Sequence, residues 1–211
     1  MRTDLPIRRD KSDGKGATVN DERITSIVLA GVGGQGIVLA SEITANAAML
    51  AGHDVKTNEV HGMAQRGGSV IGQIRYGKKV YSPIVAKGTA KVLLSLEQLE
   101  ALRYSDYLSD DGVAVVSSQA IIPVTVSLGA AKYPQNMKQM LEDVFKKLLF
   151  IDAAKIAIEV GNIRTANVVL LGAMSNHLDL PVDCWQKAIE TTVEKKYVEL
   201  NKKAFEAGRN S

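Results

Sequence analysis

The chain has 211 residues, 45% of them hydrophobic and 23% charged, the proportions of a soluble globular domain and not of a disordered or fibrous chain. Its formal net charge of +3 comes from interleaved acidic and basic residues, which excludes the basic stripe that nucleic acid or an anionic lipid surface requires. No apolar run approaches the ~20 residues of a membrane helix and the opening MRTDLPIRRDK lacks the hydrophobic centre of a secretory signal, so a cytoplasmic protein is expected.

Residues 1–22 are polar, carry charges of both signs and show no periodic apolar face, and are expected to form a flexible tail. From Ile24 to Ala30 a β-branched run predicts a strand, closed by the glycine cluster Gly31, Gly33, Gly34 and Gly36 and followed by a helical pattern over Ile37–Leu50. Gly52 suits a left-handed helix cap, and Asp54–Val60 alternates as a second strand, giving a βαβ unit with parallel strands. After the loop His61–Gly68, residues Ser69–Tyr76 and Val80–Ser82 read as a β-hairpin turning at Gly77-Lys78-Lys79. Ala90–Leu96 predicts a buried strand, Glu97–Leu108 an amphipathic helix, and Val113–Ser117 a strand entered through an Asp110-Asp111-Gly112 turn.

Further on, helical spacing covers Gln135–Leu149, Phe150–Ala153 is a short strand, and Ala154–Val160 is a helix stopped by Gly161. Ile163–Met174 is apolar on most faces, as in a helix packed on several sides or against another chain. Asp183 and Gln186 have the spacing of a capping box opening an amphipathic stretch to Ala207. Together these elements predict an α/β fold: a Rossmann-like, mostly parallel sheet flanked by helices, with a β-hairpin insertion and C-terminal helices.

Gly31-Val32-Gly33-Gly34-Gln35-Gly36 satisfies GxGxxG between a strand and a helix, where backbone N–H groups face an anion at the helix N-terminus. The alternative is that these glycines only let strand and helix pack closely. Glu59 falls near the place of a ribose-binding acid, which keeps a nicotinamide-dependent dehydrogenase in play. The loop that follows carries His61, Gln65, Arg66 and Gly67: an imidazole able to move a proton near neutral pH, an amide, and a guanidinium suited to a carboxylate or phosphate. It suits contact with a partner chain or ligand, or a loop held by its own backbone. His53 and His177 stand at helix ends and receive no chemical role, Asn167 suits a hydrogen bond across an interface or an internal backbone contact, and no metal site is visible. Cys184 is the only cysteine, which excludes an internal disulfide and an iron–sulfur cluster held by this chain alone, since such clusters take about four thiolates.

GVGGQGIVLAS at 31–41, NEVHGMAQRGGSVIGQIRYG at 58–77, VYSP at 80–83 and KVLLSLEQLEALR at 91–103 resemble the gamma module of the 2-oxoacid:ferredoxin oxidoreductases, and within it the small subunit of the indolepyruvate branch. The resemblance runs from about Ile24 to Gly208 and makes 23–208 one gamma-type catalytic domain. It implies oxidative decarboxylation of an aryl 2-oxo acid to the aryl-acetyl-coenzyme A, with ferredoxin as electron acceptor. It also implies a large alpha subunit as partner, carrying thiamine diphosphate, magnesium and the iron–sulfur clusters, because this chain has no GDG segment and one thiol. That leaves Gly31, Gly33, Gly34, Gly36, Gln65, Arg66 and Gly67 to contact coenzyme A or the substrate anion, with His61 the one catalytic candidate. A stand-alone NAD(P)-binding dehydrogenase and a non-enzymatic ligand-sensing domain are the alternatives. The subunit reading expects an apolar surface left for a partner, with Ile163–Met174 as the candidate.

Overall fold

The computed structural model describes residues 24–61, 67–122, 126, 129 and 133–211; the expected tail, 1–22, lies outside them. Six strands form one sheet: β1 Thr25–Val32, β2 Asp54–His61, β3 Ser69–Gly77, β4 Ala90–Ser95, β5 Leu108–Ser117 and β6 Leu148–Ile151, in the order β2-β3-β1-β4-β5-β6. β1, β4, β5 and β6 are parallel, β3 runs antiparallel between β1 and β2, and β2 therefore points the same way as β1. The α/β, mostly parallel architecture expected from the sequence is what the chain adopts.

Alternation in β1 sorts the core into two layers. Ile27 and Leu29 face α1 (Ile37–Leu50), α4 (Ala153–Val160), α5 (Ala166–Ser175), α6 (Val182–Thr192) and α7 (Val198–Arg209), while Val28 and Ala30 face α2 (Gln98–Arg103) and α3 (Met137–Val144). On the first face Trp185 stacks on Phe205 at 5.6 Å between ring centres, a contact worth about 1 kcal/mol beyond the area it buries.

The hairpin is placed differently from the sequence reading. β3 pairs antiparallel with β2, from Asp54 opposite Gly77 to His61 opposite Val70, and Val80–Ser82 forms no strand. Two causes are visible. β3 is buried along nearly its whole length and needs a neighbour on each side. The segment after it is held by side chains instead of a ladder: Val80 N–H donates to Asp54 Oδ2 at 2.9 Å, Val85 N–H to Gln73 Oε1 at 2.7 Å, and Arg75 Nη1 to the Ser82 carbonyl at 2.9 Å. Pro83 has no N–H to offer a ladder.

Five smaller corrections follow from packing. The helix expected over 97–108 ends at Arg103, and the Asp110-Asp111-Gly112 turn lies inside β5, at an irregularity where a β-carbon on Gly112 would meet the Ala90 carbonyl at 2.9 Å. The helix expected over 135–149 stops at Val144 because Leu148 and Leu149 are taken into pairing with β5. Asp183 does not cap: Pro181 holds that position, and Gln186 instead donates to Glu206 at 2.5 Å. The final amphipathic stretch is two helices, α6 and α7, separated at Val193.

Candidate functional site

The carboxyl ends of the parallel strands converge on the turn between β1 and α1, where ligands bind in open α/β sheets. Gly34 and Gly36 have φ of 104° and 83°, a left-handed backbone open chiefly to glycine. α1 begins with no side-chain cap and no acid in its first turn, so among the described residues no side chain claims its leading N–H groups or the positive end of its dipole. Gly31 works beneath this surface, since a β-carbon there would press on Ile37, Gln35 and Leu96.

Gln35 is the tie that sequence reasoning passes over. Its Oε1 accepts from Val32 N–H at 2.8 Å, while its Nε2 donates to the Leu96 carbonyl at 2.8 Å and to Gln119 Oε1 at 3.1 Å. One amide thereby fastens the ends of β1 and β4 to the segment after β5. Its position inside GGQG was the available signal; its distant partners were not visible. Asn167 at the start of α5 donates to the Gly36 carbonyl at 3.2 Å, so its role is the internal backbone contact and holds the turn from below.

These groups line a cavity of about 690 Å³ formed by Gly33–Gly36, Leu96, Gln119, Arg164 and Asn167 among others. Arg164 is exposed, and its guanidinium makes no ion pair or hydrogen bond among the described residues. It lies in the turn Ile163–Thr165 that leads straight into α5, where its N–H donates to Asn162 Oδ1 at 3.0 Å and the Val168 N–H to Asn167 Oδ1 at 2.9 Å. The start of α1 and the Arg164 guanidinium, both on this cavity, can hold an anionic group.

The polar loop enters beside the turn. Gly33 N–H donates to the Gly68 carbonyl at 2.8 Å and Gly67, with φ of 76°, donates to the Gly33 carbonyl at 3.3 Å. His61 ends β2 by its backbone; its side chain, Gln65 and Arg66 lie outside the described residues. Behind the loop, Ser69 Oγ donates to Glu100 Oε2 at 2.5 Å and pairs with Tyr104 Oη at 2.9 Å.

Glu59 does not join this cavity. It lines a separate groove between β2 and α1 with Val38, Met49 and Asn58, because β3 is inserted between β1 and β2. A dinucleotide bound across the glycine turn needs that acid on the strand next to β1, which removes the geometric basis of the dehydrogenase reading.

At the opposite, amino end of the sheet, His53 and His177 share a hollow of about 480 Å³ with Tyr76, Lys91 and Asp179, a meeting that their positions in the sequence conceal. Burial pushes the Tyr76 phenol up to about 12, with the nearby Thr25 hydroxyl easing it and the Asp179 charge adding to it. Burial, then the charges of Lys147 and Lys91, lowers the His177 pKa. Cys184 is half-buried and its thiol is free.

Comparison with known proteins agrees with this architecture. The sequence profile of the pyruvate ferredoxin/flavodoxin oxidoreductase family matches residues 26–211. The subunit IorB of indolepyruvate oxidoreductase from Pyrococcus horikoshii is 45% identical over 188 residues, 87% of this chain and 93% of that protein. Its counterpart in Archaeoglobus fulgidus is 40% identical over 189 residues, 88% and 94%. Among solved structures, the gamma subunit of a keto/oxoacid ferredoxin oxidoreductase from Geobacter sulfurreducens superimposes with a TM-score of 0.65 at 28% identity, over 88% of this chain and 96% of that one.

Proposed function

The chain belongs to the pyruvate ferredoxin/flavodoxin oxidoreductase family and is the small subunit of a 2-oxoacid oxidoreductase, and from that premise we propose that it serves the oxidative decarboxylation of indolepyruvate and related aryl 2-oxo acids. The observation that carries the reading is the 45% identity to an indolepyruvate oxidoreductase subunit across 93% of its length. The product is the aryl-acetyl-coenzyme A, and ferredoxin takes the electrons.

Thiamine diphosphate, magnesium and iron–sulfur clusters do not fit the donors of this chain. It has one cysteine, and among the described residues no group of three or more His, Cys, Asp or Glu side chains is arranged to hold a metal. Those groups belong to the large alpha subunit. This chain's own part is to bind and orient: the N-terminus of α1 and Arg164 hold an anionic group of coenzyme A or the substrate, and Gln65, Arg66 and Gly67 are assigned to contact it, Gly67 through a backbone bonded to Gly33.

The apolar surface that a partner would cover is not α5, which α7 buries within the chain. Val38, Met49 and Leu50 of α1 and Val60 of β2, each at least half exposed, supply it instead. Among the described residues no helix is long and apolar enough to cross a membrane.

Co-expression with the large subunit tests the reading. The purified complex is expected to reduce ferredoxin or a viologen dye with indolepyruvate and coenzyme A, to prefer indolepyruvate over pyruvate, and to lose activity in Arg66→Ala with the complex intact. Turnover of 2-oxo acids by the lone chain with a nicotinamide would overturn it, as would equal rates with pyruvate.

A further inference from the structure

Glu97 is 1% exposed and caps α2, an unusual residue for that place, which Ser, Thr, Asp and Asn normally take. Its Oε2 accepts from the Glu100 N–H at 3.0 Å, a task that the shorter aspartate performs. The extra methylene carries Oε1 across to a different part of the chain, where it accepts from the Ile121 N–H at 3.2 Å and from the Tyr133 hydroxyl at 2.9 Å. Among the described residues its three donors, two backbone N–H groups and a phenol, are neutral. Burying a carboxylate against neutral donors is a poor way to gain stability alone, which directs attention to what the contacts hold in place.

They hold the cavity wall. Gln98, the next residue, donates its N–H to the Gln119 carbonyl at 3.2 Å and its Nε2 to the Ser118 carbonyl at 2.5 Å. Gln119 is the residue whose side chain Gln35 grips from the glycine turn, and Ile121 lines the same cavity. Segment 117–121 thus hangs between Gln35 on one side and the Glu97-Gln98 pair on the other. An ionised carboxylate accepts on both oxygens, whereas an amide turns one of these contacts into a donor facing a donor. Burial and the bond to Glu97 raise the Tyr133 pKa, so its phenol stays a donor.

We propose that Glu97 is a positioning residue for the glycine-turn cavity, setting the wall 117–121 at the distance from Gly33–Gly36 and Arg164 that the anionic co-substrate requires. The proposal rests on the reading of that cavity as the coenzyme A or substrate-anion site.

The test is steady-state kinetics on the co-expressed two-subunit complex carrying Glu97→Gln, Tyr133→Phe, both together, or Arg164→Ala in the cavity itself. Glu97→Gln is expected to raise the KM for coenzyme A or for indolepyruvate about tenfold with kcat within about threefold, and Tyr133→Phe to raise the same KM about threefold. The double variant is expected to be no worse than Glu97→Gln, since both act through one wall. A purely structural role would lower the fraction of active complex, hence kcat, and leave both KM values alone. If Arg164→Ala raises KM while Glu97→Gln and Tyr133→Phe leave it unchanged, the positioning role is overturned and the site stands. Unchanged KM values in Arg164→Ala overturn the reading of the cavity and the proposal with it. Should Glu97→Gln not fold, Tyr133→Phe, which removes one hydroxyl from a half-buried ring, decides alone.

Discussion

The backbone of Gly172 on α5 lies against the carbonyl oxygen of Phe205 on α7, too close for a β-carbon, and Gly208 stands in the same relation to the Val169 carbonyl. Two glycines, one from each helix, let the axes approach until backbone meets backbone, and α5 is buried along its length as a result. Gly172→Ala and Gly208→Ala are each expected to destabilise the chain by at least about 2 kcal/mol through overpacking. Urea unfolding followed by circular dichroism reads this as a lower midpoint, and an unchanged midpoint would show that the helices part at no cost.

That crossing illustrates what was legible in the sequence and what was not. The apolar run 163–174 announced a buried helix, but not that its cover is α7 of the same chain, because a glycine in an amphipathic helix looks the same whether it faces solvent or a backbone. α1 was legible to both ends, being bracketed by Gly36 and Gly52, each with positive φ. The partner of β3 was not, since β-branched alternation marks a strand without saying which neighbour it takes. The glycine turn could be read from spacing alone. Gln35, Glu97 and Arg164 reach its cavity from three separated stretches, and only the folded chain brings them together.

Gln35→Glu tests the tie between the glycine turn and the cavity wall. The amide both accepts and donates, and a carboxylate keeps the bond from Val32 N–H while turning an oxygen towards the Leu96 carbonyl and Gln119 Oε1. Losing one partly buried and one exposed bond is expected to cost about 1–2 kcal/mol in stability. The KM of the complex for its anionic co-substrate should rise along with that loss. Gln35→Met, which keeps the bulk, is expected to lose stability without adding a repelling charge, so a KM for Gln35→Met equal to that for Gln35→Glu would assign the effect to lost bonds alone.

The histidine at the other end of the sheet makes stability depend on pH. Burial first, and the positive charges of Lys147 and Lys91 after it, hold the His177 pKa below its ordinary value of 6.5. As pH falls through 6.5 the unfolded chain binds a proton that the folded chain still refuses, so folded-state stability is lost over that interval and levels off below the folded pKa. Thermal melts from roughly pH 7.5 down to 5.5 should therefore show a fall in Tm that is shallower in His177→Gln. Parallel curves for the two proteins would remove His177 from the account.

Gly36 and Asn167 allow two causes of one defect to be separated. At φ of 83° any L-residue is strained, and a β-carbon at Gly36 would also meet the Asn167 side-chain nitrogen at 2.5 Å, the atom that donates to the Gly36 carbonyl. Gly36→Ala is expected to cost about 1–2 kcal/mol in backbone strain, with the steric and hydrogen-bond loss added to it. Asn167→Ala alone removes the hydrogen bond and leaves the glycine unstrained. In the double variant the collision is gone and only the strain and the missing bond remain. The double is accordingly expected to be less destabilised than the sum of the singles, with a coupling of about 0.5–1 kcal/mol in chemical unfolding. Strict additivity would mean that Asn167 swings aside freely and does not hold the turn, which would in turn release α1 from α5 at the point where the cavity needs them fixed.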